Sequence, residues 1–204
     1  GVPSPAVFRA YLDGLEAARG SRAVSVRFKD KSHGWAHPWF TAQFADGSVY
    51  TEDFNRTGYG RGFGMQLFLR PACARCRYTS TSRPADFTLA DYWGLDEKLA
   101  LPVERDKGVS MVLVNSARGQ AVFDALSPRF GQVERPLAEA VAGNPRLASP
   151  LKANPRRAAF FAAFAALPFA EVEKRFLALP SLPYRAAAKM LTPAMKEKIR
   201  KLLK

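Results

Sequence analysis

The sequence predicts an α/β (α+β) protein in which a mixed sheet with flanking helices is followed by a C-terminal basic helical tail. Before residue 150, short segments that alternate apolar and polar residues, as strands do, are interspersed with helical patterns. After residue 150, apolar residues recur only at helical intervals. A chain of 204 residues with 48% hydrophobic residues is long enough to bury one core.

The first predicted element is an amphipathic helix over residues 5–19. Ser4 and Pro5 are typical of the N-cap and first position of a helix, and Gly20 is typical of its end. Alternating apolar residues then predict three strands, at residues 24–28, 40–44 and 48–50. The pair Asp46-Gly47 predicts a hairpin turn between the second and third strands.

Two more strands are predicted at residues 87–92 and 109–114. The second is continuously apolar, which is typical of a strand at the centre of a sheet. Asn115 or Ser116 is expected to cap a following helix with apolar residues at helical spacing.

The remaining chain is predicted to be helical. Asn154-Pro155 and Thr192-Pro193 each look like an N-cap followed by a first-turn proline, and residues 170–179 carry apolar residues at helical intervals. Four prolines lie in residues 136–155. We therefore expect a domain at residues 1–135, a proline-rich connector at 136–155 and a basic helical tail at 156–204.

The net charge of +13 is concentrated in the C-terminal quarter, since residues 151–204 hold twelve basic and three acidic residues. Residues 184–204 interleave Lys and Arg with Met, Leu and Ile, a pattern that could lie on an anionic membrane surface. A solvated helical face is the ordinary alternative, and nucleic acid is not the favoured partner. No segment has the length and apolarity of a membrane span.

The two cysteines form a Cys73-x-x-Cys76 pair. Two cysteines exclude a disulfide-rich secreted domain and favour a reducing, cytoplasmic setting. The pair could ligate a metal or an iron–sulfur cluster, and His33 and His37 could in principle complete a zinc site, although their order and distance do not favour zinc. Pro71 before the pair favours a loop over a thioredoxin-like dithiol, and two ordinary loop cysteines are a further alternative.

An acidic and aromatic cluster follows, at Asp91, Tyr92, Trp93 and Gly94. A strand that ends in a carboxylate, two aromatic rings and a glycine suits a flat heterocyclic ligand. Alternatively, Asp91 caps a turn and Trp93 anchors the core.

A lysine, a glycine and a hydroxyl follow at Lys107, Gly108 and Ser110. They could cradle a phosphate or simply form a turn. Neither the Walker nor the Rossmann glycine pattern occurs in the chain.

These motifs, in this order and spacing, resemble the C-terminal domain of the coenzyme F420 hydrogenase/dehydrogenase beta-subunit family. The similarity spans residues 1 to about 125 and is carried by five segments: Gly1-Val2-Pro3-Ser4-Pro5, Phe28-Lys29-Asp30-Lys31 with Gly34-Trp35, Leu69-Arg70-Pro71-Ala72-Cys73-Ala74-Arg75-Cys76, Ala85-Asp86-Phe87-Thr88 with Asp91-Tyr92-Trp93-Gly94, and Asp106-Lys107-Gly108-Val109-Ser110 with Val112-Leu113-Val114-Asn115.

The resemblance implies an iron–sulfur flavoprotein that passes electrons among a [4Fe–4S] cluster, FAD and, in archaeal members, coenzyme F420. Relatives carry further cysteines upstream, one of them just before the segment matching Gly1, and often a ferredoxin-like N-terminal segment. Cys73 and Cys76 would then be two of the cluster ligands, and we expect this chain to be part of a longer polypeptide that holds the others.

The same resemblance implies which residues contact the flavin or deazaflavin. Trp93 would stack on the cofactor ring or pack beside it, while Lys107 and Arg70 would face a phosphate or an anionic ring. The full set of expected contacts is Arg70, Asp91, Trp93, Gly94, Lys107, Gly108 and Ser110.

Two classes of function follow for the chain. The first is an oxidoreductase domain, which the resemblance to bacterial family members links to polysaccharide biosynthesis and which the basic tail could place at the inner face of the membrane. The second is a non-catalytic module on a redox-derived scaffold that recruits a glycan-pathway partner, a membrane surface or nucleic acid. Bound flavin and iron would distinguish the first from the second.

Overall fold

The computed structural model describes residues 1–95, 100–101, 104–179 and residue 195. The predicted α/β class is confirmed, with helices packed around two small antiparallel sheets. In chain order the helices and strands are α1 (Pro5–Arg19), β1 (Ala23–Asp30), β2 (Trp39–Phe44), β3 (Val49–Asp53), α2 (Gly58–Gly64), β4 (Phe87–Asp91), β5 (Ser110–Val114), α3 (Ala117–Leu126), α4 (Leu137–Gly143), α5 (Arg157–Ala166) and α6 (Phe169–Phe176).

The N-terminal half follows the sequence prediction closely. Helix α1 begins with Pro5 and ends at Gly20, whose φ of +63° is the left-handed conformation that glycine adopts without strain. Strands β1, β2 and β3 form an antiparallel sheet with β2 in the centre. Gly47, with φ of +84°, lies in the predicted turn between β2 and β3. Short connections of this kind join antiparallel neighbours, so these three strands form a sheet of their own.

The main hydrophobic core joins the N-terminal elements to the last two helices. Phe40 on β2 is fully buried, and Tyr11 on α1 packs edge-on against it with ring centroids 5.5 Å apart. Phe160 on α5 is also fully buried, and its ring centroid lies 5.8 Å from that of Phe68. Helices α5 and α6 therefore share one core with α1 and the first sheet.

Among the described residues, the second sheet contains β4 and β5, and this corrects two predictions. The described strands form two antiparallel sheets rather than one mixed sheet, and β5 is not central, because β4 is its one partner among them. Met111 on β5 is buried against Ala140 and Leu147, whereas Val112 is exposed on the opposite face. The apolar run in β5 therefore reflects one covered face and one open face.

The predicted connector at residues 136–155 contains helix α4 and a 3₁₀ turn at Pro145–Leu147, and both pack on the second sheet. Helix α5 begins at Arg157, two residues later than Asn154-Pro155 predicts, and the Asn154 side chain accepts a hydrogen bond from the backbone N–H of Arg156 at 2.8 Å. The proposed domain boundaries stay a prediction.

The predicted helix after Thr192-Pro193 and the basic segment 184–204 lie outside the described residues, apart from residue 195. In the part of the chain that is described, no helix is both long and apolar enough to span a bilayer.

Candidate functional site

The two cysteines lie on a short turn that the core holds in place. Leu67, Phe68 and Leu69 are buried, and after them the chain leaves the core into a 3₁₀ turn at Pro71–Arg75. Cys73 is within this turn and Cys76 is the residue that follows it, as expected for a loop rather than for the start of an α-helix. Both thiols are free and partly exposed, so they are accessible for ligation.

The first residues of the chain lie beside Cys73. The backbone N–H of Val2 donates a hydrogen bond to Sγ of Cys73 at 3.2 Å. The backbone N–H of Arg70 donates to the Val2 carbonyl at 2.8 Å, and Pro3 forms a β-bridge with Leu69. This pairing fixes the beginning of the chain against the cysteine turn.

A cleft of about 350 Å³ opens next to Cys73. No carboxylate lines it among the described residues, whereas four basic side chains do: Arg70, Arg75, Lys152 and Arg157. Arg157 is held in place, since its Nε donates to the Leu69 carbonyl at 3.0 Å. The cleft therefore has a positive potential, which would favour an anionic group beside the thiols.

The cysteines and histidines do not assemble a zinc site within the described residues. No group of three or more His, Cys, Asp or Glu side chains there has metal-binding geometry. His33 instead stacks on Trp39 with ring centroids 4.5 Å apart. Cys73 and Cys76 thus supply two potential ligands, and a four-ligand cluster needs donors from elsewhere.

A second group of predicted residues meets at one end of the β4–β5 sheet. Asp91 and Ser110 are direct partners across the two strands. Trp93 and Gly94 follow β4, while Gly108 precedes β5, so the antiparallel pairing brings both connections to the same end. Five of the predicted contact residues are therefore neighbours.

Trp35, in the loop between β1 and β2, completes this cluster and was not among the predicted site residues. Its indole ring lies 4.4 Å from that of Trp93, centroid to centroid, and its Nε1–H donates to Oδ1 of Asp91 at 3.2 Å. Its backbone N–H donates to the Asp106 carbonyl at 2.8 Å. The segment Gly34-Trp35 carried part of the family resemblance, and that was the only signal for this position.

The alternative in which Trp93 anchors the core does not hold. Trp93 is 48% exposed. With the partly exposed Trp35 it forms an aromatic surface that carries a carboxylate, Asp91, at its edge. An exposed pair of indoles beside a hydrogen-bonded carboxylate can stack on a planar heterocycle and orient its polar edge.

The glycines of this cluster are required by protein packing. Gly108 has φ of +85°, and a Cβ there would lie 2.6 Å from Cδ1 of Trp35. Gly94 has φ of +75°, and a Cβ there would lie 3.1 Å from Cα of Gly143. Protein atoms therefore fill the space above both glycines, and their role in cofactor entry stays a prediction.

Lys107 forms an ion pair with Glu104 at 3.0 Å, and both side chains are largely exposed. Exposed pairs of this kind are weak, so Lys107 could exchange Glu104 for an anionic ligand at little cost.

Behind the tryptophans, Tyr92 connects β4 to α4. Its hydroxyl donates to Oε1 of Glu139 at 3.0 Å, and Arg135 also donates to Glu139 at 3.1 Å. Burial and the hydrogen bond to Glu139 raise the pKa of Tyr92, while the hydrogen bond from Arg135 lowers the pKa of Glu139. The contact fixes the strand end that precedes Trp93.

The predicted site residues thus fall into two groups. Arg70 and Cys73 line the basic cleft, and Cys76 directly follows the turn that contains Cys73. The remaining predicted residues are at the end of the β4–β5 sheet or, for Lys107, in the 3₁₀ turn just before it. The cleft lining includes no residue of this second group among those described.

Comparison with known proteins identifies the family. No curated protein and no solved structure matches the chain. A sequence model describing the C terminus of the beta subunit in coenzyme F420 hydrogenase/dehydrogenase matches residues 1–134, which include both groups of site residues. The chain therefore belongs to the family formed by the C-terminal region of coenzyme F420 hydrogenase/dehydrogenase beta subunits.

Proposed function

We propose that this chain is the C-terminal part of an iron–sulfur flavoprotein oxidoreductase. It transfers electrons or hydride between FAD, a [4Fe–4S] cluster and a deazaflavin-type or other acceptor. Its electron partner is a ferredoxin-like segment or a separate redox protein, and its pathway is polysaccharide biosynthesis at the cytoplasmic side of the membrane. Family membership supports the redox chemistry, and the resemblance to bacterial family members supports the pathway.

The observation that carries the proposal is the contact between Val2 and Cys73. Because the N–H of Val2 donates to Sγ of Cys73, a residue just before Gly1 would lie close to the cysteine turn. A thiolate supplied there would join Cys73 and Cys76 at a short distance. The residues present fit a cluster in their donor chemistry, with two free, accessible thiols on one turn.

The arginines of the basic cleft would balance the negative charge of a cluster bound at the cysteine turn. A cluster held by thiolates carries net negative charge, and Arg70 and Arg75 would balance it, since no carboxylate is among the cleft residues that the structure describes. The N–H of Val2 would continue to donate to the cysteine sulfur, a contact that tunes the reduction potential of such clusters.

The end of the β4–β5 sheet fits a flavin-type ring. Trp35 and Trp93 provide an exposed aromatic surface, and Asp91 is held at its edge by Trp35. When bound, a flavin moves hydride and a cluster moves single electrons, so the protein has to position them and needs no general base. Arg70 or Lys107 would bind a phosphate or an anionic ring.

The test is the cofactor content of the full-length protein purified without oxygen. We expect a yellow-brown protein that contains iron and flavin. Cys73→Ser and Cys76→Ser should each remove most of the iron, whereas Thr81→Ala, an exposed residue in the following loop, should retain it.

A colourless full-length protein without iron or flavin would overturn the proposal and favour a non-catalytic module. Unchanged iron content in both serine variants would show that Cys73 and Cys76 do not ligate the cluster, even if flavin were bound.

A further inference from the structure

A second cavity, of about 420 Å³, lies between α2, α5 and α6. Three arginines line it. Two of these arginines, and four of the seven lining residues in all, follow residue 134, where the family match ends. The lining residues are Arg61, Gly64, Met65, Arg156, Arg175, Phe176 and Ala178. Nothing in the redox chemistry proposed above uses this cavity.

The three guanidinium groups are brought together by the ends of helices. Nε of Arg61 on α2 donates to the Leu177 carbonyl at 2.6 Å, which fixes Arg61 at the C-terminal end of α6. Arg156 and Arg175 both lie over the buried ring of Phe176, with their Cζ atoms 5.2 Å and 5.4 Å from its centroid. Two like charges on one aromatic ring repel each other, and a bound anion would offset that repulsion.

These arginines partly serve the fold, because Arg61 and Arg156 donate to carbonyls at the end of α6. A guanidinium has five N–H donors, however, so each of them has donors left for a ligand. Glu173 is close enough to stabilise the charge of Arg61, but it does not line the cavity. The arginines of the lining therefore keep both their positive charge and N–H donors that the carbonyl contacts do not use.

Helix α5 adds a second, independent preference for an anion. Arg156 is its N-cap residue and makes no side-chain capping hydrogen bond, and the first turn contains no acidic residue. The positive dipole end of this ten-residue helix begins at Arg156, which lines the cavity, although the N–H of Arg157 already donates to the Asn154 carbonyl at 3.0 Å. The helix end therefore adds to the positive charge that Arg156 brings to the cavity.

We propose that this cavity binds the phosphate group of a small anionic ligand, with Arg156 and Arg175 as the principal contacts. Arginine binds phosphate through two parallel hydrogen bonds, and three arginines in one cavity are suited to a phosphate or pyrophosphate group. The volume is large enough for a small phosphorylated molecule rather than an ion alone.

Titration calorimetry of the full-length protein with inorganic phosphate and with pyrophosphate tests the proposal, at an ionic strength held constant with chloride. We expect Arg156→Gln and Arg175→Gln each to weaken binding by at least about tenfold, since a hydrogen bond to a charged group contributes about 1.5–3 kcal/mol. Arg129→Gln, an exposed arginine outside the cavity, is the matched control and should bind as the unchanged protein does.

Arg61 is left unchanged because it holds the Leu177 carbonyl, and thermal unfolding in chloride checks that each variant is folded. If a glutamine variant does not fold, Arg156→Lys replaces it; this change keeps the charge but loses the two-point contact, and weaker binding is again expected.

Flotation with phosphatidylcholine vesicles that contain phosphatidic acid distinguishes a lipid headgroup from a soluble phosphate as the ligand. Vesicle binding that is lost in the variants, without binding of soluble phosphate, assigns the site to a lipid headgroup.

No response to any of these phosphates would overturn the proposal. Equal binding by the unchanged protein and both arginine variants would overturn it as well. Neither result would bear on the iron and flavin content, because the cavity shares no residue with the cysteine cleft or the tryptophan cluster among the residues described.

Discussion

The indole ring of Trp35 lies directly over Gly108, so that a Cβ at Gly108 would be 2.6 Å from Cδ1 of Trp35. The same ring is 4.4 Å from Trp93 and hydrogen-bonded to Asp91. Because Gly108 has no side chain, Trp35, in the loop after β1, can reach the end of β4. The position of one glycine thus connects the first sheet to the aromatic surface of the second.

Gly108→Ala should destabilise the protein by about 1–3 kcal/mol, because alanine at φ of +85° is strained and its methyl group overlaps Trp35. Chemical denaturation measures the free energy of unfolding. Gly14→Ala is the matched control: Gly14 lies inside α1, and apart from its own helix backbone no atom of the described residues lies within 4 Å of an added Cβ. This change should stabilise the protein by about 0.5–1 kcal/mol. A Gly108 variant as stable as the unchanged protein would contradict the packing argument.

Trp93→Ala and Lys107→Ala in the full-length protein should each abolish flavin retention, because one removes an aromatic wall and the other a phosphate-binding cation. Flavin per protein, read from the visible spectrum after gel filtration, measures the effect. Phe130→Ala is the control, since Phe130 is also about half exposed and packs against Phe123 instead. Full flavin content in both the Trp93 and the Lys107 variant would show that these two residues do not bind the flavin.

The local elements were predictable from sequence because their signals are local. A proline, apolar residues at helical spacing and a terminal glycine define α1, and Ser116 caps α3 by accepting from the N–H of Gly119 at 3.0 Å. The sequence did not predict α2, since glycine disfavours helices. Its glycines are there for close packing: a Cβ at Gly62 would lie 2.2 Å from the Phe68 ring.

The long-range arrangement was harder to predict. An apolar run such as β5 does not indicate how many strands flank it, and only the fold shows that α4 covers one face. For the same reason Trp35 was missed as a site residue, because a loop tryptophan joins Trp93 only after the two sheets have formed. The cysteine pair and the motif around Asp91 were recognisable because their residues are close in sequence.

Glu173→Gln should change how stability depends on pH. Burial raises the pKa of Glu173, and the charge of Arg61 only partly offsets this. Because the pKa of this carboxyl group is higher in the folded than in the unfolded state, its contribution to the free energy of unfolding is fully present below the unfolded pKa. That contribution is lost as the pH rises through the folded pKa, where the buried group has to become charged. The variant should therefore gain stability relative to the unchanged protein as the pH rises from about 4 to about 8.

Urea denaturation at several pH values measures this difference. Glu171→Gln is the control on the same helix, because Glu171 is exposed and forms an ion pair with the exposed Lys174 at 2.9 Å. Its effect on stability should stay within about 0.5 kcal/mol. A difference between the Glu173 variant and the unchanged protein that does not vary with pH would show that the carboxyl group is not held in a buried environment.

Phe160→Ala should destabilise the protein by about 3–5 kcal/mol, the usual cost of removing a buried phenylalanine ring. Phe160 is fully buried on α5, outside the family match, yet its ring lies 5.8 Å from Phe68 and 5.6 Å from Phe176. Loss of this ring would leave a cavity where α5 and α6 meet the family region. Phe130→Ala, at a half-exposed ring, should cost about 1 kcal/mol or less. Equal free energies of unfolding for the two variants would mean that α5 is not part of the main core, and that residues 1–135 fold independently of it.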